Sequence, residues 1–330
     1  MVSARILKVD DGKAILIFLV VLGHLLESVG GWEGGGSRFL LVLLYIFHMP
    51  AFVFYAGLTA SRRIDLDKII YYLILLSFFH FIYTFRGYVG GSYNLAYFQP
   101  YWILWFLMSL IWWAIFLPLL ISTGFPVLAS IFLALVGGIF DFIGYGFSAS
   151  RTLVFMPFFV IGAMHGRDLI NISFLKSRFL VILFLVISGV SFFSFADLDK
   201  RWLYGSVGFE ALGAGIFEGV FNRLLIMLLS FLAVTAFLSL IAGLNGAFAS
   251  IGSCSLSIFL LHGFLVRHVS GALIFFSDLL GHFGLISSAV ILSFIICCII
   301  SKSGADALIR RQAARCLGLI NGFRIKIFKV

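Results

Sequence analysis

The chain has 330 residues, 62% of them hydrophobic and 11% charged, with a mean hydropathy of +1.15 and a formal net charge of +9. That composition excludes a soluble globular domain, because far too little polar surface is available to face water. The apolar residues come in continuous runs rather than in alternation, which excludes a transmembrane β-barrel and leaves an all-α polytopic membrane protein.

A bilayer core of roughly 30 Å requires about 20 mostly apolar residues per helix, and the sequence holds about ten such runs. The first, 14–29, follows a basic start interrupted by Asp10 and Asp11. No small-residue cleavage site follows it, so it is expected to stay attached as a helix. It carries Lys13, His24 and Glu27. Eleven residues at 100° each place Lys13 and His24 on nearly one face, roughly 16 Å apart along the axis. Glu27, three residues after His24, is in reach of the imidazole, as an oriented general base requires.

The second run, 39–60, contains His48-Met49-Pro50 and Gly57, and Arg62 and Arg63 follow it. Such an arginine pair is ordinarily a topology signal, yet guanidinium groups also bind phosphate bidentately. Runs at 69–85 and 101–121 follow, the latter opening with Trp102 and Trp105. Tryptophans at helix ends are commonly interfacial belt residues and less often ligands. Further runs lie at 127–143, 152–165 and 179–195, with Arg151 at the lip of the sixth as a candidate for binding a polar acceptor or neutralising a carboxylate. The connection 196–222 is charged and glycine-containing; a mobile surface loop or a cap over an outward-facing cleft both fit it. The last runs are 223–243, 256–275 with His262 and Arg267, and 286–301. These bounds give a membrane domain over 1–301 and a basic tail over 302–330 at the membrane surface.

Ten helices put both termini on one side, and that side collects sixteen of the 23 lysines and arginines against six on the other. The positive-inside rule then makes the termini cytoplasmic, and anionic headgroups account for the net charge without nucleic acid. The four cysteines show no disulfide or C-x-x-C pattern and read as packing residues, and the histidines share no metal-ligand spacing. Ionisable groups inside a bilayer are costly, so His24, His48, Glu27, Arg151 and His262 are each functional-site candidates.

At these residues the sequence resembles the acyltransferase-3 family, in particular its fucose 4-O-acetylase-like branch. An acidic residue, a cation, ten residues and a histidine are matched by Asp10, Lys13 and His24, ending in Leu-Val-Val-Leu-Gly-His. His48-Met49-Pro50 with Gly57 resembles a second signature and Tyr101-Trp102-Ile103-Leu104-Trp105 a third. Ser150-Arg151-Thr152 with Pro157-Phe158-Phe159 and Gly162 resembles a fourth, and Ser257 to Gly263 the late helix. Two departures stand out: the arginine motif is Arg62-Arg63 rather than Arg-x-Arg, and Lys13 stands where many members have Arg.

The resemblance implies a bacterial inner-membrane enzyme that moves an acyl group, usually acetyl, from cytoplasmic acyl-CoA to a hydroxyl of a cell-envelope glycan or lipid-linked sugar, without a metal. It implies His24 as general base supported by Glu27 or Asp11, CoA phosphates at Lys13, Arg62 and Arg63, and acceptor contacts from His48, Trp105, Arg151 and His262. The competing reading is a transporter or flippase in which the same residues relay protons or carry a solute.

Overall fold

The computed structural model describes residues 4–33, 35–89, 98–171 and 199–327. Every α-helix and 3-10 turn in that set is joined by turns, with no strand among the described residues. The helices are α1 (Ala4–Val29), α2 (Gly35–Leu58), α3 (Leu66–Val89), α4 (Trp105–Ser122), α5 (Pro126–Ile139) and α6 (Ala149–Asn171). After these come α7 (Arg201–Tyr204), α8 (Ile216–Ile241), α9 (Ala249–Ser253), α10 (Ser255–Phe275), α11 (Ser277–Lys302) and α12 (Ala305–Ile327). Among the described residues, eight segments are long and apolar enough to cross a membrane, from Lys8–Val29 to Leu279–Lys302. The fifth predicted run is the shorter α5, and the seventh, 179–195, lies outside the described residues.

Helix α1 is the spine of the bundle. It is apolar on more than one face, and Leu16, Ile17, Val20, Val21, Leu25 and Leu26 are buried, so it packs against α2, α9, α10 and α11 together. Helices α3 and α11 instead keep exposed stripes, with Phe78, Phe81 and Phe85 on one and Phe283, Ile291 and Phe294 on the other. In a membrane such stripes face acyl chains, which is the environment the composition requires.

Helices α2 and α6 cross closely. A methyl group at Gly57 would collide with Phe159 O, and one at Gly162 with Phe54 O, so the two backbones meet where neither has a side chain. Small residues at such crossings let membrane helices approach closely, and here they fix the spacing of the helices that carry His48 and Arg151. Thr152 and Ser150, which flank Arg151, point to different neighbours. Thr152 Oγ1 meets Ser109 Oγ at 2.8 Å and its carbonyl accepts from Trp113 Nε1 at 2.9 Å on α4, while Ser150 Oγ donates to Gly205 O at 2.9 Å.

Asp11 does not support the imidazole. It is buried on the same helix, thirteen residues before His24 and thus about 20 Å away. Both its oxygens accept backbone N–H groups, from Gly246 at 2.6 Å and Phe248 at 2.7 Å. It therefore ties the start of α1 to the turn that precedes α9, where unpaired amides need an acceptor. Over 305–327 the expected basic tail is helix α12, packed against α3, α10 and α11, with Asn321 Nδ2 donating to Asp67 Oδ1 at 3.1 Å.

Replacing Gly57 by Ala should force α2 and α6 apart and lower the apparent melting temperature in detergent by about 5 °C, in line with the 1–3 kcal/mol typical of overpacking. Intrinsic tryptophan fluorescence on heating measures it, and an unchanged transition would show that the crossing tolerates a side chain.

Candidate active site

Near the end of α1 away from the termini, Glu27 gathers polar groups from three parts of the chain. It accepts hydrogen bonds from Trp32 Nε1 at 3.1 Å, from the Tyr45 hydroxyl of α2 at 3.0 Å and from the Tyr204 hydroxyl of α7. Burial, and then the Glu27 carboxylate beside it, hold the Tyr204 phenol well above the ordinary tyrosine range, so it remains a donor. Leu203 and Tyr204 thereby lie over the cavity next to His24, and the segment around α7 takes the capping role rather than that of a free surface loop.

His24 Nδ1 stands 3.7 Å from Glu27 Oε2, an ion-pair approach longer than a hydrogen bond, and that nitrogen has no hydrogen-bond partner among the described residues. Three rings fix the imidazole plane or its surroundings. Trp102 meets it edge-on at 4.9 Å, His262 stacks on it at 5.5 Å, and the Tyr45 ring that bonds Glu27 lies 4.8 Å from His48. Trp102 has φ +35°, a conformation that side-chain-bearing residues adopt only under constraint, and the guanidinium of Arg267 lies 5.1 Å from its ring. His262 is fully buried; its Nδ1 faces the carbonyls of Ile258 and Phe259 at 3.0 and 2.8 Å, leaving Nε2 without a partner. His48 Nδ1 likewise faces Leu44 O at 2.6 Å.

These side chains line a cavity of about 190 Å³ whose walls include His24, Glu27, His48, Trp105, Arg151 and Tyr204. It continues into a cleft of about 160 Å³ towards Gln99, Pro100 and Tyr145, with Trp102, Trp105 and Arg151 shared between the two. Arg151 is held by cation–π contacts, its guanidinium 5.1 Å from the Trp105 ring and 5.6 Å from that of Tyr145. Its Nε has no partner, so the cation retains capacity for a polar ligand.

At the end of the bundle that carries the termini lies a second cavity, of about 350 Å³, lined by Lys13, Tyr55, Lys68, Tyr71, Tyr72 and Arg310 among others. Lys13 is paired with Asp10 at 3.7 Å. Arg63 lies in a small adjoining cleft, and Arg62 is exposed with Nη2 3.5 Å from Ala163 O, so the arginine pair sits beside this cavity rather than inside it. The two cavities share no lining residue. Between them Phe52, Phe106 and Phe259 pack at 5.3 and 5.5 Å, each about one helical turn from a residue at the imidazole: His48, Trp102 and His262.

Nine of the ten predicted site residues thus fall at or beside two cavities joined by α1, and Asp11 does not. Trp32, Tyr45 and Tyr204 were not foreseen, since the partners of Glu27 come from segments remote in sequence. An intramembrane carboxylate needs donors, and the tyrosines of the second run and the outward loop were the signal available.

The acyltransferase-3 family model, described as an acyltransferase domain, matches residues 6–302 of the chain, which takes in all eight membrane-spanning segments. No curated protein and no solved structure matches the chain.

Substituting Glu27 by Ala removes the acceptor for three donors, each worth roughly 1.5–3 kcal/mol when the acceptor is charged. Amide exchange over residues 201–207 should accelerate at least tenfold while that of α8 changes little. Equal protection in the variant would show that the segment is held by other contacts.

Proposed function

We propose that this chain, which belongs to the acyltransferase-3 family and is a membrane acyltransferase, is an O-acetyltransferase with His24 as general base. The donor is acetyl-CoA bound at the end that carries the termini, which is the cytoplasmic side of a bacterial inner membrane. The acceptor is a hydroxyl of a cell-envelope glycan or lipid-linked sugar, entering from the opposite face.

The observation that carries this reading is one imidazole in the wall of an aromatic cavity, separated by a layer of phenylalanines from a basic cavity at the other end of its helix. On the far side, the Trp102, Trp105 and Arg151 walls offer the aromatic faces and single cation that suit a sugar. On the near side, the same helix presents Lys13 to a basic, tyrosine-rich cavity, with Arg62 and Arg63 beside it. A soluble donor bearing phosphates fits that side, and the sixteen-to-six bias of lysine and arginine supports its being cytoplasmic.

The chemistry follows from the ring's surroundings. With Nδ1 turned towards Glu27, Nε2 is left to take the proton of the acceptor hydroxyl. The oxygen attacks the thioester carbonyl, the carbon–sulfur bond breaks, and the imidazolium returns its proton to the departing CoA thiolate. Glu27 favours the charged ring between these steps, and its hydrogen bonds from Trp32, Tyr45 and Tyr204 keep it in place. His262 and Trp102 hold the imidazole plane, His48 and Arg151 face the acceptor, and Asp11 keeps a structural role at the base of α1. The acetyl-thioester arm reaches the ring past Phe52, Phe106 and Phe259, which exclude water from it.

His24→Ala should reduce transfer of labelled acetyl from acetyl-CoA to membrane glycan by at least the ~100-fold typical of losing a general base, with membrane insertion intact. Undiminished transfer would remove His24 from the mechanism.

A further inference from the structure

The family match ends at residue 302, yet the cavity at the terminal end is completed by a residue beyond it, Arg310 on α12. Its guanidinium is held in place by Nε donating to Asp306 Oδ2 at 2.6 Å and one Nη donating to Ser253 O at 3.2 Å. Neither bond uses the remaining Nη. Lys68, from α3, lines the same cavity; its Nζ donates to Thr59 O at 2.9 Å, while the nearby Asp65 carboxylate caps the Lys68 backbone N–H at 3.0 Å.

Lys13 pairs with Asp10 and Arg310 with Asp306, while Lys68 Nζ donates to a carbonyl with the Asp65 carboxylate nearby. Tyr55 also lines the cavity, with its hydroxyl packed against Gly12 of α1. Tyr71 and Tyr72 add aromatic surface beside the cations. Three cations and two tyrosine rings in one cavity suit a phosphorylated nucleotide.

We infer that α12 is part of the donor site, and that Arg310, together with Lys68, binds phosphate oxygens of the donor's nucleotide moiety, with Asp306 as the residue that positions Arg310. This rests on the acyl-CoA reading above, and it adds to that reading a binding residue outside the part of the chain that matches the family.

The test compares acetyl-CoA with acetyl-pantetheine, which keeps the thioester and lacks the nucleotide, using the full chain in detergent or vesicles. Arg310→Gln should raise KM for acetyl-CoA about tenfold, the value of one charge-assisted hydrogen bond, with a much smaller change in kcat. Its KM for acetyl-pantetheine should stay within twofold of wild type, and Arg310→Lys should recover part of the loss. Calorimetric binding of CoA itself should weaken in parallel. If Arg310→Gln does not reach the membrane, Lys68→Gln provides the same comparison.

An unchanged KM for acetyl-CoA in an otherwise active protein overturns the inference and leaves the acyl-CoA reading standing. An equal rise for both donors also overturns it, because α12 would then act only on the fold. Failure of the wild-type protein to bind CoA or use acetyl-CoA overturns the donor reading and this inference together.

Discussion

A carboxylate inside a membrane-spanning helix is stable only if donors or a cation surround it, and the site at one end of this bundle is built around that requirement at Glu27. The three hydrogen bonds to Glu27 come from the turn after α1, from α2 and from α7, so satisfying one side chain brings three segments together. His24, one turn earlier on α1, takes its position from the same arrangement. The tyrosines and tryptophan that serve Glu27 are also the rings that wall or brace the cavity, so the electrostatic solution and the shape of the site have one origin.

The two cavities differ in ways that follow from their solvent. The one at the terminal end is the larger and carries three cations, Lys13, Lys68 and Arg310. The one at His24 is smaller, aromatic and roofed by α7. Phe52, Phe106 and Phe259 separate them; the first two lie on helices that also line the inner cavity, and Phe259 on the helix that carries His262. A helix movement that reached those rings would therefore also be felt at His48, Trp105 and His262.

Much of this was legible in the sequence where a signal is local. Hydropathy places the eight described spans, since membrane helices must bury their backbone hydrogen bonds within apolar segments. The three-residue spacing puts Glu27 beside His24 whatever the tertiary fold. Ser150, Arg151 and Thr152 form a recognisable cluster, although only the structure shows that the outer two fasten α7's segment and α4 while the middle one faces the cavity. Asp11 shows the limit of local reasoning. A buried acid near a histidine in sequence suggests a shared site, but at 1.5 Å per residue thirteen helical residues separate them widely, and the backbone amides that claim Asp11 lie some 235 positions on. The role of 305–327 was hidden for a similar reason, because its basic composition also suits a membrane surface, and the docking contacts of Asn321 and Arg310 are with residues far away in sequence.

In the proposed mechanism one imidazole serves reactants arriving from opposite sides. Oriented membrane vesicles containing the protein and a glycan acceptor test it most directly, with labelled acetyl-CoA supplied to one face at a time. Label added to the face bearing the termini should appear on acceptor at the opposite face, and label added to the opposite face should give none. Transfer from the opposite face, or labelling confined to the face where the donor was added, would contradict it.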